Sequence, residues 1–113
     1  MSDKKYLIKL EDIKPLVSDS RGCVASNTII VDGLKIGFMY RDYPDEDIEN
    51  DSGWRFLSGT EDDDYLDDIE NSQVMDINTV ANYDPSIIPY LKNSRGIELE
   101  RIEGTDKFRK LEE

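Results

Sequence analysis

The clearest alternation in the chain lies between residues 34 and 41. Leu34, Ile36, Phe38 and Tyr40 take every second position, with Lys35, Gly37, Met39 and Arg41 between them. A period of two predicts a strand with one face buried. Upstream, Cys23-Val24-Ala25-Ser26 and Thr28-Ile29-Ile30-Val31 are rich in small and β-branched residues, so both read as strands. Asp32-Gly33 then reads as a hairpin turn into the alternating run. Trp54-Arg55-Phe56-Leu57-Ser58 is the next strand, with Trp54, Phe56 and Ser58 on one face and Arg55 and Leu57 on the other. Near the C-terminus residues 97–102 alternate again. Gly104-Thr105-Asp106 forms a turn, and residues 107–111 are a candidate partner strand.

Helical signals are short. Thr60 is a candidate cap for a helix through residues 61–66, whose acids suit the positive end of the helix dipole. Tyr65, Leu66 and Ile69 give it one apolar edge. Val74-Met75-Asp76-Ile77 reads as a short strand. After it, Asp76 or Asn78 starts a turn of helix through residues 79–82. Asp84-Pro85 is an N-cap with proline at the first helical position, and Ile87, Ile88 and Leu91 share one face of the helix it opens. Residues 6–10 form a short strand or extended lead-in, and Pro15 limits any helix before it. These elements predict an α+β fold: a small, mostly antiparallel sheet of four to six strands with one or two short helices. At 113 residues the expectation is a single domain over 1–113.

Charge changes the picture most. Residues 42–70 hold 13 acids and one base, Arg55, and so carry the whole net charge of −12; elsewhere acids and bases cancel. A neutral body with one negative block has a local field able to steer a basic partner. The same balance argues against nucleic acid, which needs clustered Lys and Arg, and against an anionic membrane surface. One cysteine, Cys23, excludes an internal disulfide. The apolar run after residues 1–5 is too short for a signal segment or a span, so the expectation is cytoplasmic.

Candidate chemistry is sparse. The chain has no histidine, which removes His-based triads and His metal ligation, and one cysteine makes zinc implausible. No glycine-rich phosphate loop occurs. An EF-hand needs glycine at its sixth position. Counting from Asp62 that position is Asp67, and from Asp45 it is Asn50, so neither run fits. No cofactor is implied, and the reading is a non-enzymatic binding protein. Cys23, with no histidine to activate it, reads as a small buried hydrophobe. Trp54 is either an interface anchor or a core residue, and its alternation with Phe56 favours the core.

The acidic block also contains apolar anchors: Tyr43, Ile48, Tyr65, Leu66 and Ile69. Anchors with charges around them suit a surface for a basic protein. The candidate contact residues are Asp45, Glu46, Asp47, Asp62, Asp63, Asp64, Asp67 and Asp68, with Tyr65 and Trp54. A second hypothesis is a small-molecule or divalent-ion sensing module, with its ligand between the Trp54 strand and the acidic loop. A purely structural domain is the remaining alternative.

A set of segments in order carries a family resemblance: Gly22-Cys23-Val24-Ala25-Ser26, Val31-Asp32-Gly33, Gly37-Phe38-Met39-Tyr40-Arg41, Asp51-Ser52-Gly53-Trp54-Arg55-Phe56-Leu57-Ser58-Gly59, and residues 78–91 (NTVANYDPSIIPYL). Over residues 22–91 the chain resembles a small bacterial domain family, long known only as a domain of unknown function and grouped with predicted immunity proteins of polymorphic toxin systems. The resemblance implies a cytosolic protein that binds and neutralises a toxin delivered by a neighbouring cell. It brings no catalytic residues. It also leaves open whether Ser52, Gly53, Trp54, Phe56, Ser58 and Gly59 shape the fold or touch the partner.

Overall fold

The computed structural model describes residues 6–111. Its strands are β1 (Gly22–Ser26), β2 (Phe38–Arg41), β3 (Asp51–Leu57), β4 (Ser72–Asp76), β5 (Glu98–Arg101) and β6 (Phe108–Lys110). They form one sheet in the order β4-β1-β3-β2-β5-β6. Only β1 and β3 run parallel; every other neighbouring pair is antiparallel. The helices are short: α1 (Asn27–Ile30), α2 (Asp63–Asp67) and α3 (Ile77–Tyr83), with a 3-10 segment over Pro85–Tyr90. This is the α+β, mostly antiparallel sheet that the patterning predicts.

The core lies on one face of the sheet. Ala25, Phe56, Met39 and Leu99 pair across four strands in one inward row. Trp54 is on the same face, fully buried, and its indole N–H donates to the Leu91 carbonyl at 3.1 Å. Ile29 and Ile30 of α1, Ile77 and Val80 of α3, and Ile87 of the 3-10 segment close the core from above. Asp84 ties these pieces together. Its carboxylate accepts from Ile36 N–H at 2.9 Å, from Ser86, and from Arg101 Nη2 at 2.6 Å.

Several local expectations change. Residues 28–31 are not a strand: α1 occupies residues 27–30. The Ser26 hydroxyl accepts from Thr28 N–H and caps this turn, and the turn drops Ile29 and Ile30 into the core. A capped turn that buries two isoleucines outweighs a weak β preference. Asp32-Gly33 therefore closes a helix and not a hairpin, with Gly33 N–H on Ile29 O and Leu34 N–H on Thr28 O. The alternating run forms a strand only over Phe38–Arg41. Its phase slips at Gly37, where a side chain would collide with the Ser58 carbonyl. Past that point Met39 points inward between Phe56 and Leu99, while Phe38 and Tyr40 point outward.

The helix expected from Thr60 starts later, capped by Asp62, and none of its residues is buried. Ile69, expected on its apolar edge, is 88% exposed. Residues 6–10 do not pair as a strand. They bend at Leu7 and Ile8 and enter a 3-10 turn over Leu10–Asp12, tied to the helices by Leu7 N–H on Ile30 O and Ile8 N–H on the Tyr83 hydroxyl. Asn78 and Asn82, one turn apart on α3, fix the next stretch: their side-chain oxygens accept from the amides of Lys14, Leu16 and Val17, and both side-chain NH2 groups donate to the Lys14 carbonyl.

Candidate functional site

Among the described residues, no helix packs as a layer on the outer face of the sheet. Residues opposite one another in register share a face. Val74, Val24, Arg55, Tyr40 and Glu98 therefore form one outward row across five strands, and Leu57, Phe38, Glu100 and Arg109 form the next. Val74 is 61% exposed, and Val24, Phe38, Tyr40 and Leu57 are half-buried. The Phe38 and Tyr40 rings stand 5.7 Å apart. Leu66 of α2 leans over one end of this face. With Val24, Tyr40, Arg55, Leu57 and Ser72 it lines a shallow hollow of about 210 Å³.

The acidic stretch, continuous in sequence, is divided in space. β3 runs through its middle, so residues 42–50 connect β2 to β3 at one end of the strand and residues 58–71 lie at the other. Gly22 of β1 pairs with Asp51 and Ala25 with Phe56, so the two ends of β3 lie roughly 13 Å apart. Asp45, Glu46 and Asp47 are exposed at the first end. Asp62, Asp63, Asp64, Asp67 and Asp68 are exposed at the second, and half-buried Tyr65 sits among them. Asp62 also caps α2, and Asp68 caps the 3-10 turn after it.

Trp54 leaves the set of contact candidates. It is 0% exposed and stacks near Phe56, so no partner reaches its ring in this fold. Its inward position results from the alternation with Phe56, which puts both aromatics on the face that α1, α3 and the 3-10 segment cover.

Two acids of the block, buried Asp51 and half-buried Glu61, are bonded within the chain in a way that the charge count alone conceals. Asp51 is buried against Arg55, its two oxygens accepting at 3.0 and 2.8 Å, and it also accepts from the amides of Asp45 and Gly53. Burial on its own would raise this carboxyl. The Arg55 guanidinium and the two amides outweigh that effect and hold it well below the usual carboxylate range. Glu61 accepts from the Thr28 hydroxyl at 2.6 Å and from the amides of Ser58 and Gly59 at 2.9 Å. Burial opposes these bonds but loses to them, and the carboxyl is pulled down to about 2. Arg55, the one base in the block, is the sequence signal that points to the first of these pairs.

Motif residues of the resemblance are thus occupied internally. Ser52 bonds the Gly22 carbonyl at 2.6 Å, Ser58 and Gly59 hold Glu61, and Asn78 and Asn82 hold residues 14–17. Cys23 is buried, and burial, with Asp76 nearby, pushes its thiol far above its ordinary value. Among the described residues, no group of three or more carboxylate or thiol side chains is placed to hold a metal ion, and no helix is long and apolar enough to cross a membrane.

Among curated proteins and among solved structures, no match to the chain is found. A family match exists. It begins at β1 and runs through β5 and β6, further toward the C-terminus than residues 22–91. The matching family is the Immunity protein Imm33 domain, over residues 23–112, and the chain belongs to that family.

Proposed function

We propose that the chain is an immunity protein that neutralises a basic toxin by binding it across the outer face of the sheet. The observation that carries this reading is the placement of apolar and acidic groups. Val24, Phe38, Tyr40, Leu57 and Leu66 lie between two exposed acidic ends, Asp45, Glu46 and Asp47 on one side and Asp62, Asp63, Asp64, Asp67 and Asp68 on the other. Stable interfaces have this anatomy, with an apolar centre inside a polar rim. The centre sets how long a complex lasts, and the charges set how fast it forms. Tyr65 stands at the junction of the two regions. Trp54 contributes by holding β3 in place from beneath. Binding rather than catalysis does the work, in the cytosol of the cell that makes the protein.

Exposed charges are screened over about 8 Å at physiological ionic strength, so association should slow steeply with added salt. The test is to capture proteins from the native host on this chain at low salt and release them at high salt. A captured protein is then expressed with and without the chain. The expected result is one basic protein that arrests growth alone and is silenced by co-expression. Reversing Asp62, Asp63 and Asp64 to Lys should slow its association at least about tenfold, and Tyr40→Ala should mainly speed its dissociation. Capture of no growth-arresting protein would overturn the immunity reading. An unchanged association rate with both acidic ends reversed would overturn the electrostatic part.

A further inference from the structure

A cleft lies on the helix-covered side of the sheet, away from the outer face. It has a volume of about 540 Å³ and is bounded by Val17, Ser18, Asp19, Arg21, Arg41, Ile88, Leu91 and Lys92. Its apolar wall is Val17, Ile88 and Leu91. Its polar wall holds three cations, Arg21, Arg41 and Lys92, against one carboxylate, Asp19. That balance runs opposite to the chain's net charge of −12.

Asp19 is already committed. Both of its oxygens accept from Arg21, at 3.1 and 2.9 Å. Arg41 has no such partner. Its Nε donates to the Ser52 carbonyl at 2.9 Å and its Nη1 to the Asn93 carbonyl at 2.8 Å. Among the described residues, Nη2 has no acceptor and Arg41 forms no ion pair. The guanidinium is fixed by those two carbonyls and rests 5.8 Å from the centre of the Trp54 ring. Its partial burial, with Arg21 and Arg95 nearby, disfavours its charge and outweighs the opposing pull of Asp19. An arranged guanidinium with a spare donor, partly out of water and facing like charges, is the condition an incoming anion relieves.

We propose that this cleft binds a small organic carboxylate: the carboxylate on Arg41 Nη2 and Lys92, and an apolar body on Val17, Ile88 and Leu91. The volume falls within the range of small-molecule sites. The site is independent of the toxin-binding face, because Arg41 and Trp54 point to the opposite side of the sheet from Tyr40 and Arg55.

The test titrates the full chain with 4-phenylbutyrate, read by amide chemical shifts and by the fluorescence of its single tryptophan. Saturable shifts are expected at residues 17–21, Arg41 and Lys92. The uncharged 4-phenylbutan-1-ol should bind at least about tenfold more weakly, since a hydrogen bond to a charged group is worth that much. Arg41→Met should weaken the carboxylate by a similar factor. Lys92→Glu, at an exposed position, should weaken it about threefold and carries the test if Arg41→Met does not fold. No saturable shift up to about 10 mM would overturn the proposal, that concentration being where millimolar affinity shows. Equal binding of the alcohol, or of inorganic phosphate, would overturn the assignment to an organic carboxylate. Undiminished binding in the folded variants would overturn the residues.

Discussion

Asp51 and Arg55 are four residues apart on one strand, yet their side chains meet at 2.8 Å. On a straight strand such residues lie about 13 Å apart. The strand is not straight there. Gly22 of β1 faces Asp51 and Val24 faces Arg55, so two residues of β1 span the same length as four of β3. The extra pair is taken up in a bulge around Ser52 and Gly53, with Gly53 at φ +90°. The Asp51 side chain is 0% exposed and that of Arg55 14%. Breaking such a pair leaves a buried charge uncompensated, at a cost of about 3 kcal/mol. Asp51→Asn and Arg55→Met should each lower stability by about that much. The double variant should lose clearly less than the sum, because the second change removes the charge the first has stranded. Urea unfolding of the four proteins measures the cycle.

The bulge also sets what residue 53 can be. A side chain there would run into the Asp42 carbonyl, and the backbone conformation favours glycine in any case. Gly53→Ala should cost at least about 2 kcal/mol. Gly59 has a similar φ, +96°, but open space where a Cβ would go. Gly59→Ala should cost only about 1 kcal/mol, the conformational part alone. Comparing the two unfolding midpoints separates collision from backbone strain.

Acid should destabilise the protein through Asp51 and Glu61. Both carboxyls are lowered in the folded chain from ordinary values of 3.8 and 4.5. A lowered folded value means the contribution is fully present above the unfolded value and is lost as pH falls through the folded one. Thermal midpoints should therefore hold level down to about pH 4.5 and decline toward about pH 2. Glu61→Gln should lower the midpoint at neutral pH and flatten the decline. A midpoint indifferent to pH across this interval would show that the two carboxylates are not held as the structure places them.

Cys23 should be inert while the protein is folded. It is fully buried in β1, and its thiol is pushed up by burial. A thiol-reactive chromogen should detect no thiol in buffer and one per chain in urea, with native labelling no faster than global unfolding. Rapid labelling in buffer would mean that β1 opens locally.

Where residues pack by their own periodicity, the fold was legible in the sequence. Trp54 and Phe56 face the core because two aromatics at a spacing of two share one side of any strand, whatever its neighbours. Asp76 and Asp84 cap their segments because a short carboxylate before a helical run reaches the free amides directly. Residues 28–31 were not legible, since a β-branched run prefers the strand only weakly. What decided them was the Ser26 hydroxyl and the space that the sheet leaves for Ile29 and Ile30. The slip at Gly37 was equally hidden, because it depends on the Ser58 carbonyl, 21 positions away in sequence.

For the candidate site the division is similar. The amount of negative charge, its confinement to residues 42–70 and the family resemblance follow from residue identity and order alone. Chain packing divides this charge between the two ends of β3, engages Asp51 and Glu61 in bonds within the chain, and puts Trp54 out of reach. The same packing brings Arg41 into one cleft with Arg21 and Lys92. The physical reason is that pairing register and burial are set by contacts between segments distant in sequence, and a carboxylate or guanidinium takes its role from the groups those contacts bring within hydrogen-bond range.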